Sequence, residues 1–167
     1  MIRQVTAEAT YPLRQQVLRP HQRVDEVGFP GENDPGTAHF AAFDGGGRIV
    51  GIATALHQGP DGAIPAADPA TAADLAGCWR LRGMAVDDDQ RHLGIGAALL
   101  ERVVDHVARH GATALWCNAR LSAAGFYRAA GLAPCGDSWE EPGIGPHVKM
   151  WRPISAPEPN PAPSPSP

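Results

Sequence analysis

A glycine-bearing loop between a predicted strand and the best predicted helix constrains this chain more than any other feature. The strand ends at Met84-Ala85-Val86, and the loop runs through Asp87–Leu93 to Gly94-Ile95-Gly96-Ala97, where the helix begins. Such a loop turns several backbone N–H groups toward one point at a helix N-terminus, where the helix dipole favours an anion. The glycines let the backbone approach that anion without a Cβ in the way. The sequence therefore predicts a phosphate-binding strand–loop–helix unit.

Length, charge and hydropathy exclude several classes of protein. The 167 residues suit one domain with its own core, and the net charge of −4 with no basic run argues against nucleic-acid binding. No stretch of about 18 apolar residues is present, which argues against a membrane span. The N-terminal residues lack the apolar region of a signal peptide, and Cys78, Cys117 and Cys135 form no Cys-x-x-Cys pair. We expect a cytoplasmic protein with reduced, buried thiols.

Strands and helices alternate along the predicted domain, residues 1–152. A proline-rich tail, 153–167, is expected to be disordered. The stretch 58–77 is predicted to be a surface excursion with one helical turn near Ala70–Leu75. Pro12 is expected to open a short helix, and the Asp44–Gly47 turn to close a hairpin. The other predicted strands and helices are Met1–Thr6, Ala38–Phe43, Arg48–His57, Cys78–Val86, Gly94–His110 with Gly111 as its stop, Ala114–Asn118, Arg120–Ala130, Leu132–Trp139 and His147–Arg152.

The glycine loop matches two known anion-binding motifs poorly. A P-loop requires Gly-Lys-Ser/Thr, whereas Gly96 is followed by two alanines. A dinucleotide fingerprint requires a third glycine, but Leu99 stands there, and Asn118 replaces the acidic residue that binds ribose.

The segment 79–132 resembles the GNAT acetyltransferase superfamily in two ordered motifs. Arg91-x-x-Gly94-x-Gly96-Ala97 resembles the acetyl-CoA pyrophosphate loop of that superfamily, Gln/Arg-x-x-Gly-x-Gly/Ala. The strand ending in Asn118 and the following Ala123–Leu132 resemble its Asn…Ala…Phe-Tyr…Gly-Phe/Leu segment. His92 departs from the pattern, because a glycine is common at that position.

The resemblance implies an α/β (α+β) fold with a mixed, strongly twisted sheet of six or seven strands and roughly four helices. The strands ending at Val86 and Asn118 are expected to be parallel neighbours that splay apart and leave a notch for the cofactor. It also implies N-acetyl transfer from acetyl-CoA to a primary amine by direct attack, with no metal and no covalent intermediate. The partners would be acetyl-CoA and an amine acceptor, with no nucleic acid, no membrane and a possible homodimer.

Residue roles follow from the same resemblance. Tyr127 would protonate the departing CoA thiolate as general acid. A free N–H near Ala85 or Val86 would stabilise the thioester oxygen. The residues expected to bind the cofactor are Met84, Ala85, Val86, Arg91, His92, Gly94, Ile95, Gly96, Ala97, Asn118, Phe126 and Arg128.

Several of these residues have simpler alternative interpretations. Tyr127 could be a core aromatic residue, and Asn118 could cap the following helix. His106 and His110 have the spacing of metal ligands but are favourable in a last helical turn by themselves. The run Asp87–Asp89 indicates a solvated turn more readily than a metal site. A non-catalytic acyl-CoA sensor and a dinucleotide-binding protein remain as alternative functions.

The sequence gives less evidence about the residues that bind and deprotonate the acceptor amine. Direct attack requires a base or a water chain that takes the proton of the amine, and Glu141 and His147 near the last strands are the first candidates. Arg80 and Arg82 are expected on the same strand face as Met84, where they would meet an acidic acceptor or form salt bridges.

Overall fold

A seven-stranded mixed sheet forms the frame of the protein, with helices on both faces. The computed structural model describes residues 1–61 and 75–155, so most of the predicted turn near Ala70–Leu75 and of the tail lies outside it. The strands are β1 (Ile2–Val5), β2 (Ala38–Phe43), β3 (Ile49–His57), β4 (Cys78–Val86), β5 (Ala114–Arg120), β6 (Ala133–Glu141) and β7 (Gly145–Pro153). The α-helices are α1 (Ala7–Leu18), α2 (Ile95–Arg109) and α3 (Ala124–Ala129).

The central pair of strands has the splayed geometry that the resemblance predicts. The strand order is β1-β2-β3-β4-β5-β7-β6, and only β4 and β5 are parallel. Their pairing covers just Cys78–Arg80 against Ala114–Trp116, after which they diverge. The sheet thus opens into a notch between the carboxyl-terminal halves of β4 and β5, and this prediction is confirmed.

Helix α2 packs on one face of the sheet and helix α1 on the other. The apolar stripe of α2 buries Leu99, Leu100, Val103 and Val107, as its 3.6-residue period predicts. Gly51 in β3 lets α2 approach closely, because a Cβ there would lie 2.8 Å from side-chain carbons of Ile95 and Leu99. The extended apolar cluster on this face holds the start of α2, and with it the glycine loop, in a fixed position against β4.

Helix α1 begins five residues before the position that the sequence suggests. It starts at Ala7, so Pro12 lies inside it, where the ring removes one backbone N–H donor. Packing offsets that loss, since Leu13 joins a buried cluster with Ala41 and Ile52. The prediction that Pro12 opens the helix was wrong because tertiary contacts outweighed the local preference.

The other elements differ from prediction mainly at their ends. Three α-helices lie within the described residues, close to the roughly four that were predicted. The segment predicted as Arg120–Ala130 divides into a 3₁₀ turn, Leu121–Ala123, and the short α3. Strand β5 runs two residues past Asn118, and β7 continues one residue past the predicted domain end at 152. Within residues 1–61 and 75–155 no helix combines the length and apolar character needed to cross a bilayer.

Candidate active site

A bulge in β4 shapes the wall of the notch. Arg82 pairs with Thr54 and Ala85 with Ile52, so three residues of β4 advance against two of β3. Gly83 occupies this bulge with φ +60°, a left-handed conformation that glycine adopts without strain. Because the bulge shifts the alternation, Met84 faces the α2 side with Leu81 rather than the side of Arg82. The expectation that Arg80 and Arg82 share a face with Met84 was wrong for this reason.

The end of β4 offers main-chain groups to the notch. Strand β3 pairs with β4 as far as Val86, but on the other edge β5 leaves β4 after Arg80. Met84, Ala85 and Val86 therefore present an edge without a strand partner, as a site for an extended ligand arm requires. An N–H on this edge is also suitably placed to donate to a developing oxyanion.

The N-terminus of α2, termed the anion cradle after the role that the sequence predicts for it, leaves backbone N–H groups outside the helical ladder. The first intrahelical bond runs from Ala98 N–H to the Gly94 carbonyl, so the N–H groups of Ile95, Gly96 and Ala97 precede the helical ladder. Gly94 has φ +80°, and a Cβ built on it would meet nothing within 4 Å. The open space lies where an anion bound to these N–H groups would sit.

His92, which stands where the motif commonly has a glycine, has a left-handed backbone conformation. It is the one non-glycine residue with positive φ in the described ranges, at 64°. Histidine is among the residues that tolerate this region, which explains why the loop keeps its shape without a glycine there.

The acidic run before the loop is partly structural rather than fully solvated. Asp87 is buried and accepts from Arg48 Nη1 at 2.8 Å and from Gln16 Nε2 at 3.2 Å. Asp88 and Asp89 remain exposed, and Asp88 pairs with Arg91 at 2.6 Å. The solvated turn was therefore a wrong interpretation for Asp87, which ties the loop to the β2–β3 hairpin. Arg91 is half-exposed, and the carboxylate with which it pairs, that of Asp88, is exposed as well.

Two cavities meet at the end of β4. The cofactor-side cavity, about 470 Å³, lies over the α2 N-terminus and is lined by Gln90, Arg91, His92, Gly94, Ile95, Gly96, Ala97 and Phe126. The acceptor-side cavity, about 600 Å³, lies in the notch toward α1 and β7. Both are lined by Met84, Ala85, Val86, Arg91, Ala123 and Tyr127. The two openings thus converge on one point beside the unpaired edge of β4.

Tyr127 lies at that convergence. Its side chain is nearly buried, 9% exposed, and its hydroxyl donates to the sulfur of Met84 at 3.7 Å. Burial, followed by the neighbouring Cys117, raises the pKa of the Tyr127 phenol well above its ordinary value. The phenol therefore carries its proton at neutral pH, held only by a weak sulfur acceptor. It also belongs to the apolar core, as the alternative interpretation of Tyr127 states, while its role as general acid stays a prediction.

Asn118 and Cys117 lie side by side on β5 with opposite environments. Asn118 is exposed into the acceptor-side cavity, and it caps no helix, because the N-cap positions downstream are Arg120 and Ala123. Cys117 is buried, and burial raises the pKa of its thiol to about 12, which leaves it unreactive at neutral pH. Cys117 is thus the small buried hydrophobe that the sequence suggests.

Glu141 and His147 also line the acceptor-side cavity. His147 is buried, and its Nδ1 lies 2.8 Å from the Gly145 carbonyl oxygen, which can only accept a hydrogen bond. In this contact Nδ1 donates, so a neutral ring would carry its lone pair on Nε2. Glu141 accepts a bond from the Trp139 indole at 3.0 Å, and the Trp139 and His147 rings lie 5.9 Å apart. The β6–β7 hairpin thus brings both candidate bases to the cavity that Tyr127 closes.

Two predicted cofactor contacts lie on α3. Phe126 is partly exposed in the cofactor-side cavity, with its ring 5.0 Å from that of Tyr127. Arg128 lies outside the residues that line either of the two cavities.

Sequence reasoning missed two cavity arginines. Arg19, at the end of α1, reaches the acceptor-side cavity from a distant part of the chain and had no local signal. Arg120 did have a local signal. It lies two residues after Asn118, so in a strand that extends through it both side chains point to the same face.

The two histidines of α2 belong to an aromatic cluster. His106 and His110 stack at 4.2 Å, and both rings lie 5.7 Å from the Trp79 ring. Across residues 1–61 and 75–155, no group of three His, Cys, Asp or Glu side chains is arranged to hold a metal.

Comparisons with known proteins point to one family. Residues 5–132 match the model described as "Acetyltransferase (GNAT) family". YitI of Bacillus subtilis (strain 168), an uncharacterized N-acetyltransferase, is 30% identical over 153 residues, which cover 92% of this chain and 95% of that protein.

Solved structures share the fold at lower identity. The ribosomal-protein-S18-alanine N-acetyltransferase of Escherichia coli aligns with a TM-score of 0.68 at 19% identity, covering 93% of this chain and 94% of the other. An aminoglycoside 6′-N-acetyltransferase complexed with coenzyme A gives 0.67 at 16% identity, covering 96% and 99%. Since the family match spans β4, the glycine loop, α2 and the Tyr127 helix in one continuous alignment, the chain belongs to the GNAT family of acetyltransferases.

Proposed function

We propose that this chain transfers an acetyl group from acetyl-CoA to the primary amine of an acceptor by direct attack. The observation that carries the proposal is the meeting of two cavities beside Tyr127 and the unpaired edge of β4. One cavity opens on an anion cradle and the other on candidate bases. This arrangement suits two substrates that enter separately and react where they meet.

The cofactor-side cavity fits the polar parts of acetyl-CoA. The three N–H groups at the start of α2 suit a pyrophosphate, and the space beside Gly94 leaves room for it. The edge of Met84, Ala85 and Val86 suits the amide-bearing pantetheine arm, which can pair with it like an added strand. Arg91 would add charge from the rim. Acetyl-CoA would supply an electrophilic thioester carbonyl and a thiolate leaving group.

The remaining roles are assigned to residues that line the acceptor-side cavity. His147 Nε2, or the Glu141 carboxylate, takes a proton from the ammonium group of the acceptor. An N–H of Ala85 or Val86 stabilises the oxyanion as it forms. Tyr127, which burial keeps protonated near neutral pH because it raises the phenol pKa, gives its proton to the departing sulfur. The neutral amine thus forms the C–N bond while the C–S bond breaks. The nitrogen then loses a second proton, which returns through solvent to the Tyr127 phenolate, so the products are the amide, the CoA thiol and one proton on the base.

A screen of amines, monitored by release of the CoA thiol, tests this proposal. Acetyl-CoA alone gives the background rate of hydrolysis, and the Tyr127→Phe variant controls for chemistry outside the site. We expect acceptor-dependent thiol release and an acetylated amine of matching mass. Calorimetry with CoA, NAD and ATP separates the alternatives: tight CoA binding without turnover indicates a sensor, and preference for NAD or ATP overturns the assignment of the cradle.

A further inference from the structure

An unusual concentration of positive charge lines the acceptor-side cavity. Among the described residues that line it, five are arginines, from the end of α1, β4, the glycine loop and β5, and one is a carboxylate, Glu141; the arginines are Arg19, Arg80, Arg82, Arg91 and Arg120. The protein as a whole is acidic, with a net charge of −4. General surface composition therefore does not explain this local excess of cations.

Four of the five arginines have no ion pair among the residues that the structure describes. Arg91 pairs with Asp88, whereas the seven described salt bridges include none of Arg19, Arg80, Arg82 and Arg120. Sequence reasoning left two possibilities for Arg80 and Arg82, an acidic acceptor or internal salt bridges. Within the described residues, the second is not observed.

Arg82 is held in place by an aromatic ring rather than by a carboxylate. Its guanidinium lies 4.1 Å from the centroid of Phe29. The nearby Glu32 is engaged elsewhere, by Arg14 at 2.8 Å and by the Tyr11 hydroxyl. Burial and the neighbouring Arg80 lower the pKa of Arg82 to about 10, so it stays charged at neutral pH without a compensating anion.

Arg80 has an unused donor. Its guanidinium stacks at 4.7 Å on Trp116 and donates through Nη1 to the Gln58 side chain at 3.2 Å. Its Nε is buried without a hydrogen-bond partner among the described residues. Buried donors are nearly always satisfied, so this N–H group has capacity for an acceptor that the described residues do not supply.

Arg19 and Arg120 complete this group of cavity arginines. Arg19 and Arg120 both donate to the Leu18 carbonyl, at 2.9 and 3.1 Å, which fixes the end of α1 against β5. Each keeps further N–H groups, since a guanidinium carries five. Holding such cations together without anions is costly, and a bound oxyanion relieves the cost.

We propose that the acceptor is a small amine that carries an oxyanion, a carboxylate or a phosphate, which Arg80 and Arg82 bind while Arg19 and Arg120 enclose it. This inference rests on the proposed function, because it names the class of amine that the site acetylates. The anionic group would sit on the α1 side of β4, opposite the cofactor cradle. The amine would then point toward Tyr127 and the candidate bases. A polyamine would be repelled by the same arginines.

Matched pairs of acceptors test the inference. Three pairs differ in one anionic group: glutamate with glutamine, γ-aminobutyrate with its amide, and O-phosphoethanolamine with ethanolamine. Spermidine serves as the cationic probe. We expect kcat/KM to favour the anionic member of at least one pair by roughly ten- to a hundredfold, as for a charge-assisted contact. The pair with the largest ratio identifies the oxyanion as carboxylate or phosphate.

Variants of Arg82 locate the effect. Arg82→Gln should reduce the anionic preference toward unity, mainly by raising KM, and Arg82→Lys should restore part of it. Arg102→Gln, an equal charge change on the exposed side of α2, should leave the preference unchanged. Affinity for acetyl-CoA should be unaltered in all three variants, which also establishes that they fold.

Each other outcome overturns a distinct claim. Equal use of both members of every pair, or preference for spermidine, refutes the oxyanion while acetyl transfer stands. Loss of acetyl-CoA affinity in Arg82→Gln assigns the arginines to the cofactor and refutes the inference too. Absence of thiol release with every amine refutes the proposed function itself.

Discussion

Replacing Tyr127 by phenylalanine removes one hydroxyl and retains the ring that packs in the core. The only described partner of that hydroxyl is the sulfur of Met84 at 3.7 Å, and thioether sulfur is a weak acceptor. We therefore expect a loss of no more than about 1 kcal/mol in the free energy of unfolding. For a domain of this size, that corresponds to a fall in Tm of about 2–4 °C.

The effect on catalysis should be much larger. A general acid typically contributes about 10²-fold or more to kcat, which corresponds to about 2.7 kcal/mol of barrier. Acetyl-CoA affinity should change little, because the cradle and the ring remain. The measurements are steady-state kcat with the best acceptor, calorimetry with acetyl-CoA, and a thermal melt.

Tyr11→Phe provides a matched control, since it removes the hydroxyl of the only other tyrosine. That hydroxyl donates to the nearly buried carboxylate of Glu32, and a bond to a charged group contributes about 1.5–3 kcal/mol. The control should therefore lose more stability than Tyr127→Phe and keep its kcat. A kcat within a few-fold of the parent in Tyr127→Phe would refute the general-acid role and leave water as the donor to a leaving group as acidic as a thiol.

Three further outcomes follow from the described contacts. Gly96→Val should weaken CoA binding more than tenfold by calorimetry, because the valine side chain projects into the cradle beside Phe126. Arg91→Ala should weaken it less, because the backbone N–H groups remain. A Gly96→Val variant that binds CoA as tightly as the parent would mean that the anion site lies elsewhere. Glu32→Ala should lower the urea unfolding free energy by about 3–5 kcal/mol, since it strands a buried guanidinium; a loss below 1 kcal/mol would contradict this. Burial holds the pKa of His39 below its ordinary value, so at low pH the unfolded chain binds a proton that the folded chain does not. The free energy of unfolding should therefore fall as the pH drops below about 6.5. Urea denaturation between pH 7.5 and 5 should show a smaller fall in His39→Gln than in the parent.

The position of helix α2 was predictable because its signals are local. Its start at the glycine loop and its stop at Gly111 lie within one segment, and both are observed. The glycine loop likewise acts through its own backbone. The divergence of β4 and β5 was predicted from the family resemblance, because the sequence of neither strand indicates where their pairing ends.

The tertiary structure alone decided what the acceptor side contains. The direction of Met84 relative to Arg82 depends on how β4 pairs with β3 around the Gly83 bulge, a register that alternation along one strand cannot reveal. Arg19 joins Arg80 in one cavity only because α1 packs over β4. The burial of Asp87 likewise depends on Arg48 from the β2–β3 hairpin. Local periodicity predicts elements, whereas the charge of a cavity depends on residues far apart in sequence whose proximity only the packed sheet determines.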